Sequence, residues 1–217
     1  VTPELHKTLA SRWQTFWSRL APGIDGDALG RRLLDAWDEP QRAYHTQEHL
    51  LECLVLFDAA RAHAEAPLAI EAALWFHDAI YDPRSGENEA RCAAWAHEAL
   101  TAAQVSAETI MTVEKLIIAT CHAAPAETAD AALLIDIDLA ILGATRERFD
   151  RYDADVRREY AHVPTLAYRI GRGRILSEFL ARPSIYSTPE FRKERETRAR
   201  VNLRRARRRL WLPRLLS

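Results

Sequence analysis

Apolar residues recur at three- and four-residue intervals along almost the whole chain, as at Leu50, Leu51, Leu54 and Val55, and again at Ile110, Val113 and Ile117. This is the period of an amphipathic helix, not the strict alternation of a half-buried strand. Composition agrees. Only seven of the 217 residues are Gly, too few for a fold built on tight turns, while Ala and Leu abound. The expected fold class is all-α. Helices are expected near 4–19, 27–38, 47–63, 68–79, 87–100, 107–121, 131–142, 146–160, 165–181 and 189–211. Breaks fall at APGIDG, DEP, YDPRSG, HAAPAE, HVP and RPSIYSTPE, where Pro, Gly and small polar residues gather. Ser85, ahead of Glu87 and Glu89, suits a helix start, whereas Ser106 with Thr109 makes a poor capping box. No linker or internal repeat interrupts the pattern, so a single helical domain over 1–217 is expected, ending in a basic helix over 189–217.

The overall charge of −1 conceals a gradient. From Glu190 to Ser217 there are eleven Lys or Arg against three Glu, a local balance of +8, so the first 189 residues carry −9. A nucleic-acid binder of uniformly basic surface is excluded. RVNLRRARRRLW (200–211) could touch nucleic acid or an acidic partner, but it lacks the aromatic interleaving that stacks bases, and a solvated terminal helix that neutralises the acidic body or packs on a second subunit is the simpler reading. No run of eighteen apolar residues suggests a membrane span. Three cysteines (Cys53, Cys92, Cys121) have no framework spacing and are expected as buried thiols in a reducing compartment, which points to the cytoplasm. The six tryptophans read as core or interface anchors, and the apolar tail WLPRLL (211–216) makes a homodimer plausible.

Three segments can carry chemistry. In WFHDAIYD (75–82) an adjacent His77–Asp78 pair ends an apolar run, where burial of two ionisable groups costs several kcal/mol unless a partner such as a divalent metal compensates. Adjacent side chains on a helix diverge by roughly 100°, so the pair converges only where the helix ends, as Asp82-Pro83 suggests. In AYHTQEHLLECL (43–54), His45 and His49 are spaced one helical turn apart. In DIDLAILG (136–143), Asp136 and Asp138 open another apolar segment. Singly, a core His is more often structural than a ligand, and an Asp before a helix is more often a cap. The ordered set on separate apolar helices is harder to explain that way.

This order, His, then His-Asp, then Asp, resembles the HD superfamily of metal-dependent phosphohydrolases. YHTQEHL, ALWFHDAIYD, GENEARCA and DIDLAILG, with EYAHV, GRGRIL, IYSTPEF and ARVNL, are more closely similar to a bacterial branch of predicted HD phosphohydrolases, over residues 10–205. The resemblance implies a helical HD-type bundle with His49, His77, Asp78 and Asp138 as metal ligands, Asp136 being the alternative to Asp138. Many HD proteins follow the dyad with His-Glu; Asn88-Glu89 stands here instead, which argues against a second tightly held metal. His122, in IATCHAA, resembles the additional histidine that some relatives aim at the site.

Two imidazoles and two carboxylates suit Mn, Fe, Co or Ni, with Mg also admissible, and leave positions for water. Such an ion acidifies bound water and binds a phosphoryl oxygen. His122, Glu89 and His45 are candidate acids or bases. Arg84, Arg169, Arg172 and Arg174 are candidates to hold phosphate, the last two in GRGR, although a solvated helix face explains any one of them as well. Tyr81 and Asn88 flank the dyad and could touch substrate. The expected activity is hydrolysis of a nucleotide or another small phosphate ester or anhydride. Competing readings are a non-hydrolytic HD ligand sensor, a di-iron oxygenase, and a zinc peptidase in which His45, Glu48 and His49 form H-x-x-E-H.

Overall fold

The computed structural model describes residues 2–122 and 124–211. All regular structure among them is helical, as the apolar period requires. The chain forms two compact units, Val1–Ile137 and Asp138–Ser217.

In the first unit, α1 (Pro3–Leu20) starts with Thr2 accepting the Leu5 amide and buries Leu9, Trp13, Phe16 and Trp17, one face at helical spacing. Trp13 stacks on Trp17 and meets Trp75 edge to face, with centroids 5.0 and 5.2 Å apart. α2 (Asp27–Ala36) lies close against those indoles: a Cβ at Gly30 would stand 2.3 Å from Trp13, and one at Gly26 equally near Trp17. Both indole N–H groups donate to backbone carbonyls, Trp13 to Gly26 and Trp17 to Ile24. α3 (Gln47–Ala60) is capped by Thr46 and runs into a 3-10 turn, Arg61–His63. α4 (Pro67–Phe76) is buried at every position from Ala69 to Phe76, the pattern of a helix enclosed on all sides, and it packs on α1, α3 and the pair α5 (Asn88–Ala102) and α6 (Ala107–Ala119). Two amides ahead of α4, those of Glu65 and Ala66, donate to the buried Asp130 carboxylate at 2.8 Å each. Asp130 belongs to α7 (Ala129–Asp138), which continues as a 3-10 segment, Leu139–Gly143.

The helix limits depart from expectation in instructive places. Ser106 does cap α6, its hydroxyl accepting the Thr109 amide, so the Ser-Thr pair makes a better start than its residue types suggest. Ser85 instead accepts the Glu87 amide from two residues ahead of the cap position, and α5 begins at Asn88 without a side-chain cap. The helix expected to run through residue 79 ends at Phe76. Cys53 and Cys92 are buried, but Cys121 is exposed, because it follows the end of α6.

In the second unit, α8 (Arg146–Glu159), α9 (Thr165–Ala181) and α10 (Pro189–Arg209) accompany the 3-10 segment. α10 packs on α9 and on that segment: Asn202 donates to the carbonyls of Leu142 and Ala144, and Arg198 to that of Gly143. Its basic residues therefore have local work. Arg200 bonds Glu196 and the carbonyls of Leu180 and Arg182, while Arg205 and Arg209 hold Asp150. The tail from residue 212, on which the dimer expectation rested, lies outside the described residues. No helix among the described residues is long and apolar enough to cross a membrane.

Candidate metal centre

His49 is the third residue of α3, placed by the Thr46 cap. Its Nδ1 lies 3.1 Å from the Tyr44 hydroxyl, so its Nε2 is the nitrogen turned toward His77. His77 stands just past the last residue of α4, where its amide still bonds Ala73. Its Nδ1–H donates to the Leu74 carbonyl at 2.9 Å, which assigns the lone pair to Nε2. The helix stops in time for Asp78 to swing to the same side as His77, which a continuing helix would forbid.

The result is a convergence. The two Nε2 atoms lie 3.4 Å apart, and Asp78 Oδ2 lies 3.4 Å from that of His77 and 3.9 Å from that of His49. Asp138, at the end of α7, joins His49, His77 and Cys53 in a group whose ligand atoms all lie within 4.8 Å of one another. Bonds of about 2.0–2.2 Å put the donors of a shared ion roughly 3.0–4.2 Å apart, and the separations among His49, His77 and Asp78 fall in that range. Two neutral imidazoles with two carboxylates balance a divalent charge, which offsets the cost of burying them. The residues fit a metal.

Cys53 is expected from sequence only as a core thiol, yet it joins this group. Its Sγ stands 3.7 Å from both nitrogens of His49. A sulfur equidistant from the two nitrogens faces the ring between them, not the region in front of Nε2. Asp78 is therefore the better fourth donor, and Cys53 packs the ring in place. Asp136 is fully buried, and of the Asp-x-Asp pair it is Asp138 that is found in the group with the histidines.

The turn carrying the dyad is held by three side chains. Arg42, with its side chain wholly buried, donates to the carbonyls of His45, Asp78 and Ala79 and pairs with Glu39 at 3.0 Å. Cys92 accepts the Ile80 amide and donates to the Ile80 carbonyl; burial pushes this thiol up to about 12, so it stays a neutral strut. Asn88 accepts the Asp82 amide and donates to the Asp82 carbonyl. Its amide, a candidate for substrate contact or for a turn role, thus bonds the loop backbone. Arg42 and Tyr44 were missed from sequence because a single Arg or Tyr beside a histidine carries no spacing signal.

At the rim, His45 Nε2 lies 4.0 Å from Asp78 Oδ2, and its ring stacks on Tyr81 at 4.1 Å. His45 precedes the Thr46 cap, so it does not share a helical turn with His49 as the spacing suggested. This removes the one-helix geometry that H-x-x-E-H requires. The other expected site residues are not members of that group. Glu89 adjoins Cys121, whose thiol is pushed up by burial and by that carboxylate. His122 adopts a left-handed backbone, φ 53°, after α6. Arg172 is buried in the second unit, bonded to Tyr152 and Asp153, and these partners outweigh burial and leave it firmly protonated. Arg174 is exposed and pairs with Glu178 one turn on. Arg84, in the loop between α4 and α5, has its amide bonded to Asp82.

No family model, no curated protein and no solved structure matched this chain in the three comparisons.

Proposed function

We propose that the chain is a metal-dependent phosphohydrolase of the HD type, acting on a nucleotide or another small phosphate ester or anhydride. The observation that carries this reading is the gathering of His49, His77 and Asp138 in one group, with Asp78 3.4 and 3.9 Å from the two Nε2 atoms. When bound, such an ion would supply an acidified water and a Lewis acid for a phosphoryl oxygen. The chain's own groups have distinct tasks. The hydrogen bonds on the far nitrogens of His49 and His77 orient both rings and raise their basicity. His45, at the rim between Asp78 and Tyr81, is placed to take a proton from an attacking water or to return it to a leaving oxygen. Tyr81, whose ring stacks on that of His45, stands at the same rim as a candidate for substrate contact.

The test combines metal analysis by mass spectrometry with a screen of nucleotides and phosphate esters in Mn²⁺. One transition metal per chain and metal-dependent phosphate release are expected. His77→Ala and Asp78→Ala should each lose the metal with the helical circular dichroism nearly unchanged. Metal retained in both variants, or wild-type protein that neither binds metal nor turns over after reconstitution, would overturn the assignment; the latter would leave a ligand sensor.

A further inference from the structure

Within the second unit, α8, α9 and the end of α10 enclose a cavity of about 790 Å³, in the size range of small-molecule sites. Four arginines line it, Arg157, Arg158, Arg169 and Arg209, against two carboxylates, Asp150 and Asp153. Those carboxylates are neutralised from behind: Asp150 also faces Arg146 and Arg205, and Asp153 faces Arg172, none of which lines the cavity. Arg158 pairs with Asp155. Arg157 meets no carboxylate among the described residues; it donates to the carbonyls of Tyr160 and Val163 and lies 4.5 Å over the Tyr168 ring. Arg169 makes no hydrogen bond or ion pair among the described residues. The cavity thus holds two guanidinium charges with no anion assigned to them.

The remaining wall suits the same ligand. Tyr168, between these two arginines in the lining, is pushed up to about 12, chiefly by burial, so its hydroxyl is a neutral hydrogen-bond donor. Thr165 is the first residue of α9, whose preceding Pro164 supplies no side-chain cap. Its hydroxyl therefore stands at the positive end of a seventeen-residue helix.

We propose that this cavity binds an oligophosphate-bearing small molecule, with Arg157 and Arg169 each engaging one phosphate group. Guanidinium groups pair with phosphate oxygens, and the open fork of Arg169 together with the charge of Arg157, which no carboxylate meets, matches a diphosphate better than a single phosphate. None of these residues belongs to the metal cluster, so the proposal stands apart from the hydrolase reading.

The full chain, stripped of metal and dialysed free of chelator, is titrated calorimetrically with sodium pyrophosphate. Saturable binding at one site is expected, with inorganic phosphate weaker by about tenfold or more, since it can fill only one fork. Arg169→Ala should lose about tenfold in affinity with unchanged circular dichroism, and Arg169→Lys should fall between it and wild type, keeping charge but not the fork. Arg174→Ala, on the same helix but outside the cavity, should bind as wild type does. Absence of saturable binding, equal affinity for phosphate and pyrophosphate, or equal loss in the Arg169 and Arg174 variants would overturn the proposal. Because no metal is present, such a failure would leave the hydrolase reading untouched.

Discussion

The residues that distinguish this site from four chance donors are those behind the donors. Tyr44 fixes one nitrogen of His49, and its removal should be felt at the metal without a large change of fold. Tyr44→Phe is expected to weaken Mn²⁺ binding about tenfold, the low end for a lost partner of a ligating histidine. Titration calorimetry checks this; unchanged affinity would mean that packing alone orients the ring. Arg42 acts on a longer piece of backbone, since three carbonyls and Glu39 share one guanidinium. Lys has a point charge where those acceptors need a planar fork. Arg42→Lys should therefore cost about 2–3 kcal/mol, the penalty for buried acceptors left unmet, and lower metal content as the dyad turn loosens. Urea unfolding read alongside metal analysis separates the two effects.

At the scale of the element, close approach decides where small residues are needed. Helix propensity alone would favour Ala over Gly by about 1 kcal/mol at an interior helical position. At Gly30 the Trp13 ring occupies the space a Cβ would take. Gly30→Ala is accordingly expected to destabilise by roughly 1–3 kcal/mol, as overpacked cores do. Gly171, inside α9, has open space where a Cβ would stand, with nothing within 4 Å. Gly171→Ala should stabilise by about 0.5–1 kcal/mol. Opposite signs in chemical denaturation confirm the contrast, whereas two stabilising substitutions would mean the indole can move aside. The same scale explains α4. Its end at Phe76 is what lets two neighbouring side chains face one point, and Arg42, Cys92 and Asn88 hold the following turn in place.

Across the whole molecule the charge gradient has a structural use. Four arginines of α10, Arg198, Arg200, Arg205 and Arg209, go to backbone carbonyls and to Asp150. Burial alone would raise the Asp150 carboxyl; the hydrogen bonds from Arg209 and Arg205 outweigh it and hold the group below its usual value. A carboxyl depressed on folding adds stability above its unfolded value, near 3.9, and that stability is lost as pH falls through the lower folded value. Asp150→Asn should thus cost under about 1 kcal/mol at neutral pH, given the partial exposure of the pair, and less still as pH falls below about 4. The difference should also shrink with added salt. A difference independent of both would assign Asp150 a packing role.

How much of this was legible beforehand follows from the range of each interaction. Helical class and most helix limits were readable, because apolar period, Pro and Gly act within a few residues. His49, His77 and Asp138 were readable as ionisable groups on apolar segments, where burial is costly without a partner. Their meeting at one point was not, since α3, α4 and α7 are brought together only by packing. Tertiary structure also gave these residues surroundings that local inference could not: His45 falls before its helix, Asn88 bonds a loop backbone, and Arg172 is buried against Tyr152 and Asp153. Sequence by itself determined the period and the buried charges, because these depend on neighbours along the chain. Only the tertiary structure decided which donors share a point and which arginines keep an unmatched charge, because contacts across tens of residues set those distances.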